Sequence, residues 1–347
     1  MAVRSGTAVR SGAAVRMEDV AEAAGVSVTT VSRVLGGRQK VAASTRRRVL
    51  EALEATGYSR STLLHGEASH LVAVCPPPSP EHWQIEVVRA VCVQLQELGL
   101  LTATPFLDPG LRDLRATVAA GASAVVTPTF TPIDVDVPVV RFAESTLEEV
   151  PLRPTDGKRV GAEWVAARVD LTGGLTLAFD HLSQLGHRRI GLICLDSGDL
   201  AAALRERFLA EHPARSFTDP DRLQRWIAPV PKSFSGGISA AATLRDATCT
   251  AVIVQAGLQL YGVLAEVRRR RLVVPRDLSV VGFGDSSTMR YTDPPATVLG
   301  LEKSGMVDAL TAAVRTVLDL PGDRMKAVPP TFRPWLTARS STAGVRQ

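Results

Sequence analysis

From Leu71 onward the chain alternates short apolar runs with helical segments, and this alternation constrains the fold more than any other feature. One series reads LVAVC (71–75), LLTAT (100–104), AVVT (124–127) and VPVVRF (137–142), with a helix over 81–98 between its first two members. A second reads RIGLICL (189–195), RWIAPV (225–230), TAVIVQ (250–255) and LSVVGF (278–283). Helices over 175–185, 200–211, 237–245 and 258–271 separate them. Continuous apolar runs between helical segments predict parallel strands covered by helices on both faces. Two such series predict two Rossmann-like subdomains with a cleft at the carboxyl ends of the strands.

The stretch Met17 to Leu35, MEDVAEAAGVSVTTVSRVL, has a helical period instead. Met17, Val20, Ala21 and Ala24 fall at i, i+3, i+4 and i+7, one apolar stripe on a short helix. Gly25 ends that helix, and Ser27 caps the next by accepting from its free N–H groups. Val31, Val34 and Leu35 form a second apolar face. Two short helices joined by a Gly-containing turn make an αα-hairpin or a helix-turn-helix unit. In the latter, the second helix lies in the DNA major groove with its N-terminal residues at base edges. Those residues here are Val28, Thr29, Thr30, Ser32 and Arg33. A third helix is expected over 43–56, closed by Gly57, with Val49, Ala52, Leu53 and Thr56 facing inward. Arg46, Arg47 and Arg48 sit in its first turn, where the helix dipole disfavours cations. Phosphate contact and a solvated face both account for them.

Charge placement favours the DNA-binding alternative. Ten Lys+Arg and five Asp+Glu fall within residues 1–60, while the whole chain carries 40 and 35. The entire excess of +5 therefore lies in and before the helix-turn-helix, and the remainder is balanced. A basic module on a neutral partner domain is the electrostatic footprint of nucleic-acid binding. Hydrophobic residues make up 45% and charged residues 22% of the 347, a globular balance with room for about two or three domains. No apolar run is long enough to span a bilayer and no signal-peptide core is read, so a cytoplasmic protein without membrane contact is expected. Cys75, Cys92, Cys194 and Cys249 are scattered without a CxxC pair. They read as reduced and mostly buried, with no disulfide framework and no zinc site.

The N-terminal residues resemble the headpiece of the lactose-repressor (LacI/GalR) family of bacterial transcription regulators. DVAEAAGVSVTTVSRVL and VAASTRRRVLEALEATGY carry the match, without a gap from Met17 to Tyr58. The resemblance implies that Val28 and Thr29 are a base-reading pair that varies between members, and that Arg33 is a more constant base contact. Arg is also the side chain best made for bidentate pairing with a guanine edge. With Ser27, Thr30, Ser32, Thr45, Arg46 and Tyr58 these residues form the expected DNA-binding set. The family usually caps its third helix with Ser or Thr, where this chain has Ala42, an omission worth about 1 kcal/mol.

Family members usually carry a Pro-Asn pair after the Tyr, then a hinge segment whose Leu wedges into the minor groove. Here Arg60 and Ser61 replace that pair, the linker is shorter, and Gly66 lowers its helix propensity. Leu63 or Leu64 is the candidate wedge, in a weakened hinge. Residues 1–16 repeat AVRSG with Arg4, Arg10 and Arg16. They read equally as a disordered basic tail or as lying ahead of a start at Met17.

The second half resembles the same family's effector domain, which looks like a periplasmic sugar-binding protein. Val169-Asp170, HLSQLGHRRIGLI (181–193), VPRDLSVVGFGDS (274–286), YTDPPATV (291–298) and LTARSST (336–342) carry the match. The expected fold is an α/β core of two Rossmann-like, periplasmic-binding-protein-like subdomains preceded by an all-α helix-turn-helix headpiece. The domains expected are a tail (1–16), the headpiece (17–58), a hinge linker (59–70) and the core (71–345). The resemblance implies three crossings between subdomains, near residues 168, 297 and 325. The first subdomain would then hold 71–168 and 298–325, and the second 169–297 and 326–345.

The effector cleft departs from the family pattern. Ala256-Gly257 stand where members usually have Asn-Asp, and Gly284-Asp285 where they usually have two Asp. The family's ligand-reading Arg falls at Arg205 or Arg207. Arg141, Asp170, Arg205, Arg207 and Asp285 are thus the expected effector contacts, a set better suited to an anion than to a neutral sugar. Trp164 and Trp226 read as core or cleft wall before sugar-stacking. Gly282-Phe283-Gly284 follows a strand and does not open a phosphate-binding turn. His181 and His187 do not share a helix face, and Arg268–Arg271 suits a helix C-terminus. No nucleophile–base pair stands at motif spacing, so no catalytic residue, metal or cofactor is expected. The leading reading is a regulator, acting as a repressor, that binds a palindromic double-stranded operator as a homodimer and responds to a small effector. The runner-up is a regulator whose core serves only dimerisation or a protein partner.

Overall fold

In the computed structural model the chain forms two compact units, residues 1–70 and 71–347. The structure describes residues 17–28, 30–31, 34, 42–56, 70–129, 133–144, 163–216, 218–326 and 328–345. The expected tail at 1–16 and the hinge at 59–69 lie outside them.

The first unit is helical. Helix α1 (Met17–Ala24) ends at Gly25, whose φ of +61° is the left-handed conformation that closes a helix. Val28, Thr30, Val31 and Val34 are helical, and α2 follows (Ala43–Thr56). Val20, Val31 and Val49, one from each helical segment, are fully buried together with Ala21, Ala24, Val34 and Ala52. This core is small, and its alanines let the helices approach closely.

The second unit holds two six-stranded sheets among the described residues. The first sheet takes β1 (Leu71–Val74), β2 (Leu101–Ala103), β3 (Ala122–Thr127), β4 (Val139–Glu144) and β5 (Glu163–Val169), in the spatial order 2-1-3-4-5. The second takes β6 (Ile190–Leu195), β7 (Ile227–Val230), β8 (Ala251–Val254), β9 (Ser279–Phe283) and β10 (Thr297–Gly300), in the order 7-6-8-9-10. All these neighbours are parallel, as burial on both faces requires. The alternation along β1 shows why. Val72 and Val74 face a core with α3 (His82–Glu97) and a C-terminal helix over Lys303–Val317. Ala73 points the other way, among Leu114, Val125 and Ile133, and Cys75 beyond the strand end joins it there. In the second lobe α5 (Gly173–Gln184), Asp199–Glu211, Phe234–Asp246 and Gly257–Arg269 supply the covering helices.

The chain crosses between lobes three times, between Val169 and Gly173, between Gly300 and Lys303, and between Phe332 and Trp335. The second and third crossings lie beyond the expected 297 and 325. Strand β10 keeps its pairing with β9 through Leu299 and adds the antiparallel β12 (Trp335–Thr337) across Gly300, so residues 298–300 belong to the second sheet. Strand β11 (Thr331–Phe332) pairs with β5 and belongs to the first. After β12 the C-terminal segment straps the second sheet. Ser341 Oγ donates to Val280 O and accepts from Thr297 N–H, and Arg339 Nη2 donates to both carboxylate oxygens of Asp285 at 2.8 and 3.0 Å.

The cysteines are free, and burial pushes the Cys75 and Cys249 thiols up to about 12. Among the described residues no helix is long and apolar enough to cross a membrane, and no cluster of three His, Cys, Asp or Glu could hold a metal. The Arg268–Arg271 run is taken up locally: Arg269 and Arg270 clasp Glu266, and Arg268 pairs with Asp293. His187 is sealed by Thr250, Ser279 and the Ala343 carbonyl.

His212 stabilises the second lobe only when neutral. It is 2% exposed, packed among Phe179, Phe208 and Trp226. Nε2–H donates to Ile190 O at 3.1 Å, and Nδ1 accepts from Ala214 N–H at 3.0 Å. A proton on Nδ1 would oppose a donor to a donor, and burial pushes the pKa down to about 4. In the unfolded chain His titrates near 6.5, so stability is full above that pH and falls as pH drops from 6.5 towards 4. Thermal melts across this window should show the fall. His212→Asn should melt lower at neutral pH but lose less on acidification; an unchanged pH slope would remove His212 as its source.

Candidate functional site

The second helical segment of the headpiece begins with a cap formed by the predicted residue. Ser27 Oγ accepts from Thr30 N–H at 3.3 Å, and Ser27 O accepts from Thr30 and Val31 N–H. The Ser27 and Thr30 hydroxyls also meet at 2.9 Å. With Val31 and Val34 drawn inward, Val28 stays outside at 37% exposure. An exposed valine at a helix start matches an apolar contact for a base edge better than a core position. Thr45, half-buried in the first turn of α2, donates its N–H to Ala42 O, the backbone bond that stands where a side-chain cap is missing. Arg46 occupies the same turn. Thr29, Ser32, Arg33, Tyr58, Leu63 and Leu64 lie outside the described residues, as does the side chain of Arg46.

In the core, a cavity of about 150 Å³ lies between the lobes at the carboxyl ends of both sheets. Glu81, Trp83 and Gln84, at the start of α3, form its first-lobe wall. Leu195, Leu200, Leu204, Lys232, Gln255, Ala256, Phe283 and Gly284 form the second-lobe wall, with the crossover residues Leu171, Leu299, Leu301 and Pro334 behind. It is smaller than the ~300 Å³ at which ordinary ligand pockets begin. Several groups draw the lobes together. Glu81 Oε1 lies 2.7 Å from Lys232 Nζ, and Glu81 Oε2 accepts from Gly257 N–H at 2.9 Å. Glu86 Oε1 accepts from Ser287 N–H at 3.1 Å, while Oε2 pairs with Lys303 at 2.6 Å. Burial would raise the Glu86 carboxyl, but its bonds from Lys303 and Ser287 outweigh this and hold it below its ordinary value. Trp83, 8% exposed, packs its indole against Gly284.

The expected effector contacts are engaged elsewhere, and none of them lines this cavity. Arg141, 3% exposed, pairs with Glu163 at 2.7 Å and ties β4 to β5. Asp170 Oδ1 accepts from Gly173 N–H at 2.8 Å and so caps α5 at the first crossover. Arg205 donates to Leu195 O at 3.0 Å. Arg207 pairs with Glu211 one turn on and reaches Thr172 and Thr176. Asp285 is held by Arg339. Each is a charged group whose partner comes with the fold. Trp226 is core, donating to Ala247 O, and Trp164 packs on the first-lobe core. Ala256 and Gly284 do line the cavity, so the two positions lacking polar side chains are on its wall. Glu81, Trp83, Gln84, Lys232 and Gln255 carry no motif spacing and escaped the sequence reading. The sequence signal available was the Glu-x-Trp-Gln start of α3 after the proline-rich turn that follows β1.

Two family descriptions match the chain: bacterial regulatory proteins of the lacI family over residues 16–61, and the periplasmic binding protein-like domain over residues 179–342. The transcriptional regulator MalR of Streptomyces coelicolor is 32% identical over 349 residues, covering 94% of this chain and 96% of that protein. Among solved structures, a lac repressor dimer bound to operator and an anti-inducer superposes with a TM-score of 0.62 at 21% identity, covering 95% of this chain and 99% of that one. A complex of the regulator CelR with cellobiose gives 0.59 at 22% identity, covering 94% and 100%.

Gly284 tests the packing of the cleft. Its φ is +84°, and a Cβ there would stand 2.7 Å from Trp83 Cδ1. Gly284→Ala should destabilise the protein by about 1–3 kcal/mol in denaturant unfolding, from backbone strain plus overpacking. Trp83→Ala made in addition should recover the overpacking part, a positive coupling in the double-mutant cycle. Strict additivity would mean that the indole does not rest on Gly284.

Proposed function

Because the chain belongs to the LacI family of bacterial regulatory proteins, we propose that it is a repressor that binds a palindromic operator as a homodimer and releases it in response to a small effector in the cleft between its lobes. The observation that carries this reading is the Ser27-capped helix with Val28 outward and Val31 and Val34 inward, joined in one chain to a two-lobed core. The cap and the core contacts fix which residues of that helix face away from the headpiece. Arg33, five residues beyond Val28, supplies the bidentate donor for a guanine edge, Thr29 and Val28 discriminate neighbouring bases, and Arg46 neutralises a phosphate. Leu63 and Leu64 supply a weak minor-groove wedge.

One headpiece buries little surface, and two-fold half-sites multiply the contact. The core offers a face for self-association: Ile85 and Val93 are 39% and 46% exposed on one stripe of α3, with Phe106 beyond them at 73%. Apolar side chains aligned at i and i+8 on an outer helix suit an isologous dimer contact. A cytoplasmic location follows from a DNA-binding role.

The effector is not a neutral hexose or pentose bound through the family's usual carboxylates and amides. A sugar hydroxyl entering the cleft loses water and costs about 1–3 kcal/mol if it finds no partner, and Ala256 and Gly284 offer none from their side chains. The polar groups on the wall are Glu81, Gln84, Lys232 and Gln255.

Two experiments test the proposal. In titrations over operator variants, Arg33→Ala should lose about 1–3 kcal/mol and relax preference at one base position, while Arg46→Ala should weaken all sequences alike and flatten the salt dependence. The wild-type complex should contain two chains of 36.9 kDa per palindrome. Intact affinity and base preference in Arg33→Ala, or one chain per palindrome, would overturn the DNA-binding scheme. In a thermal-shift screen of neutral sugars, sugar phosphates and organic acids, a ligand at 100 times its Kd stabilises by about 2.7 kcal/mol. An acid should score. Tight binding of an unmodified neutral sugar would overturn the effector assignment.

A further inference from the structure

We propose that Glu81 is a resident carboxylate in the effector cleft, and that an acidic effector enters by taking its place at Lys232 Nζ and the Gly257 N–H. The inference rests on the effector-responsive reading above and names the ligand group and the chain's own competitor for it.

Glu81 is held in place for this role by its backbone. Its N–H donates to Gln84 Oε1 at 2.8 Å, and Gln84, 8% exposed, donates its amide to Pro128 O at 2.9 Å. The side chain is left to cross the cleft. There it meets two donors of the opposite lobe: the ammonium of Lys232, in the loop after β7, and the first N–H of the helix Gly257–Arg269. The Glu81 and Lys232 side chains are 17% and 23% exposed, so both charges are largely withdrawn from water. Lys232 also donates to Ser79 O at 2.6 Å, in the loop that carries Glu81.

An ammonium beside a free helix N–H, with the positive end of the helix dipole behind it, is a receptor for one carboxylate. Glu81 fills it from inside the protein, and Glu81 and Lys232 both line the small cavity. A carboxylate brought by a ligand would meet the same two donors. The swap exchanges one carboxylate for another at Lys232, so the ammonium keeps a counter-ion while the displaced Glu81 carboxylate is released to water, and the tie it made between the lobes is broken. Lobe closure and acid binding therefore compete for one pair of donors. The second tie, from Glu86 to Ser287, is not part of the cavity wall and provides the control.

The test is chemical rescue of the full chain with acetate. Glu81→Ala vacates the receptor, so acetate should raise its melting temperature saturably over the millimolar range, against chloride at equal ionic strength. Small-angle scattering should show this variant more open, and acetate, bound to donors of one lobe only, should leave it open. Wild type, whose receptor is filled, should respond at least tenfold more weakly. So should Glu81→Gln, whose amide still fills the space, and Glu81→Ala with Lys232→Met, which lacks the cation. Glu86→Gln should open the lobes without gaining an acetate response. Equal responses to acetate and chloride in Glu81→Ala, or an acetate response that survives loss of Lys232, would overturn the proposal. Neither outcome touches the effector screen or the operator titrations, which judge the repressor reading on their own. If Glu81→Ala proves too unstable to study, Glu81→Ser vacates the same donors and is read in the same way.

Discussion

Parallel strands cannot leave a face to water. Each sheet of the core is covered by helices on both sides, so its backbone ladder and its valine and isoleucine side chains are withdrawn together. The line of strand carboxyl ends is then the one part of each lobe left for chemistry, because the chain turns there from strand to helix and exposes N–H groups and loop side chains. In this protein the two lobes present those ends to each other. Everything that bears on the cleft, from Glu81 after β1 to Gly284 after β9, is placed by that rule and not by any motif of its own.

What the sequence made legible follows the same division. The apolar stripe of Met17–Ala24, the turn at Gly25 and the cap at Ser27 are local signals, and the headpiece core of Val20, Val31 and Val49 repeats them in space. The strands of both series appear within a few residues of their expected positions because each is a continuous apolar run. Strand β5 was less readable, since Glu163-Trp164 open it and Arg168 interrupts it. The helix over Lys303–Val317 escaped for a different reason. Gly305 and its valines and threonines dilute its helical propensity, and its stability comes from burying Met306, Leu310 and Val314 in the first lobe. The second and third crossings lie beyond their expected positions because their ends depend on pairing between β10 and β12, which lie 35 residues apart from Gly300 to Trp335.

The candidate effector residues expose the limit of reading charge as function. The family resemblance and their charge mark Arg141, Asp170, Arg207 and Asp285 as expected ligand contacts. Each instead closes a short circuit within the fold: a pair between neighbouring strands, a helix cap, a one-turn pair and a clamp on the C-terminal strap. Whether a charge is a fastener or a contact is decided by what the rest of the chain brings to it. Glu163 and Arg339 are far from their partners in sequence. The groups that do face the cleft include a carboxylate and an ammonium that form an ion pair across it.

The seat of Trp83 has a practical consequence. Of the four tryptophans, Trp226 is buried in a lobe core, Trp164 packs on one, and Trp335 is largely exposed on an edge strand. Trp83 lies at the boundary between the lobes, its indole against Gly284 of the other lobe. Indole emission shifts to longer wavelength when the ring is hydrated. The colour of the protein's own fluorescence is therefore tied to the separation of its lobes, so that opening and closing can be followed in real time on the unlabelled chain.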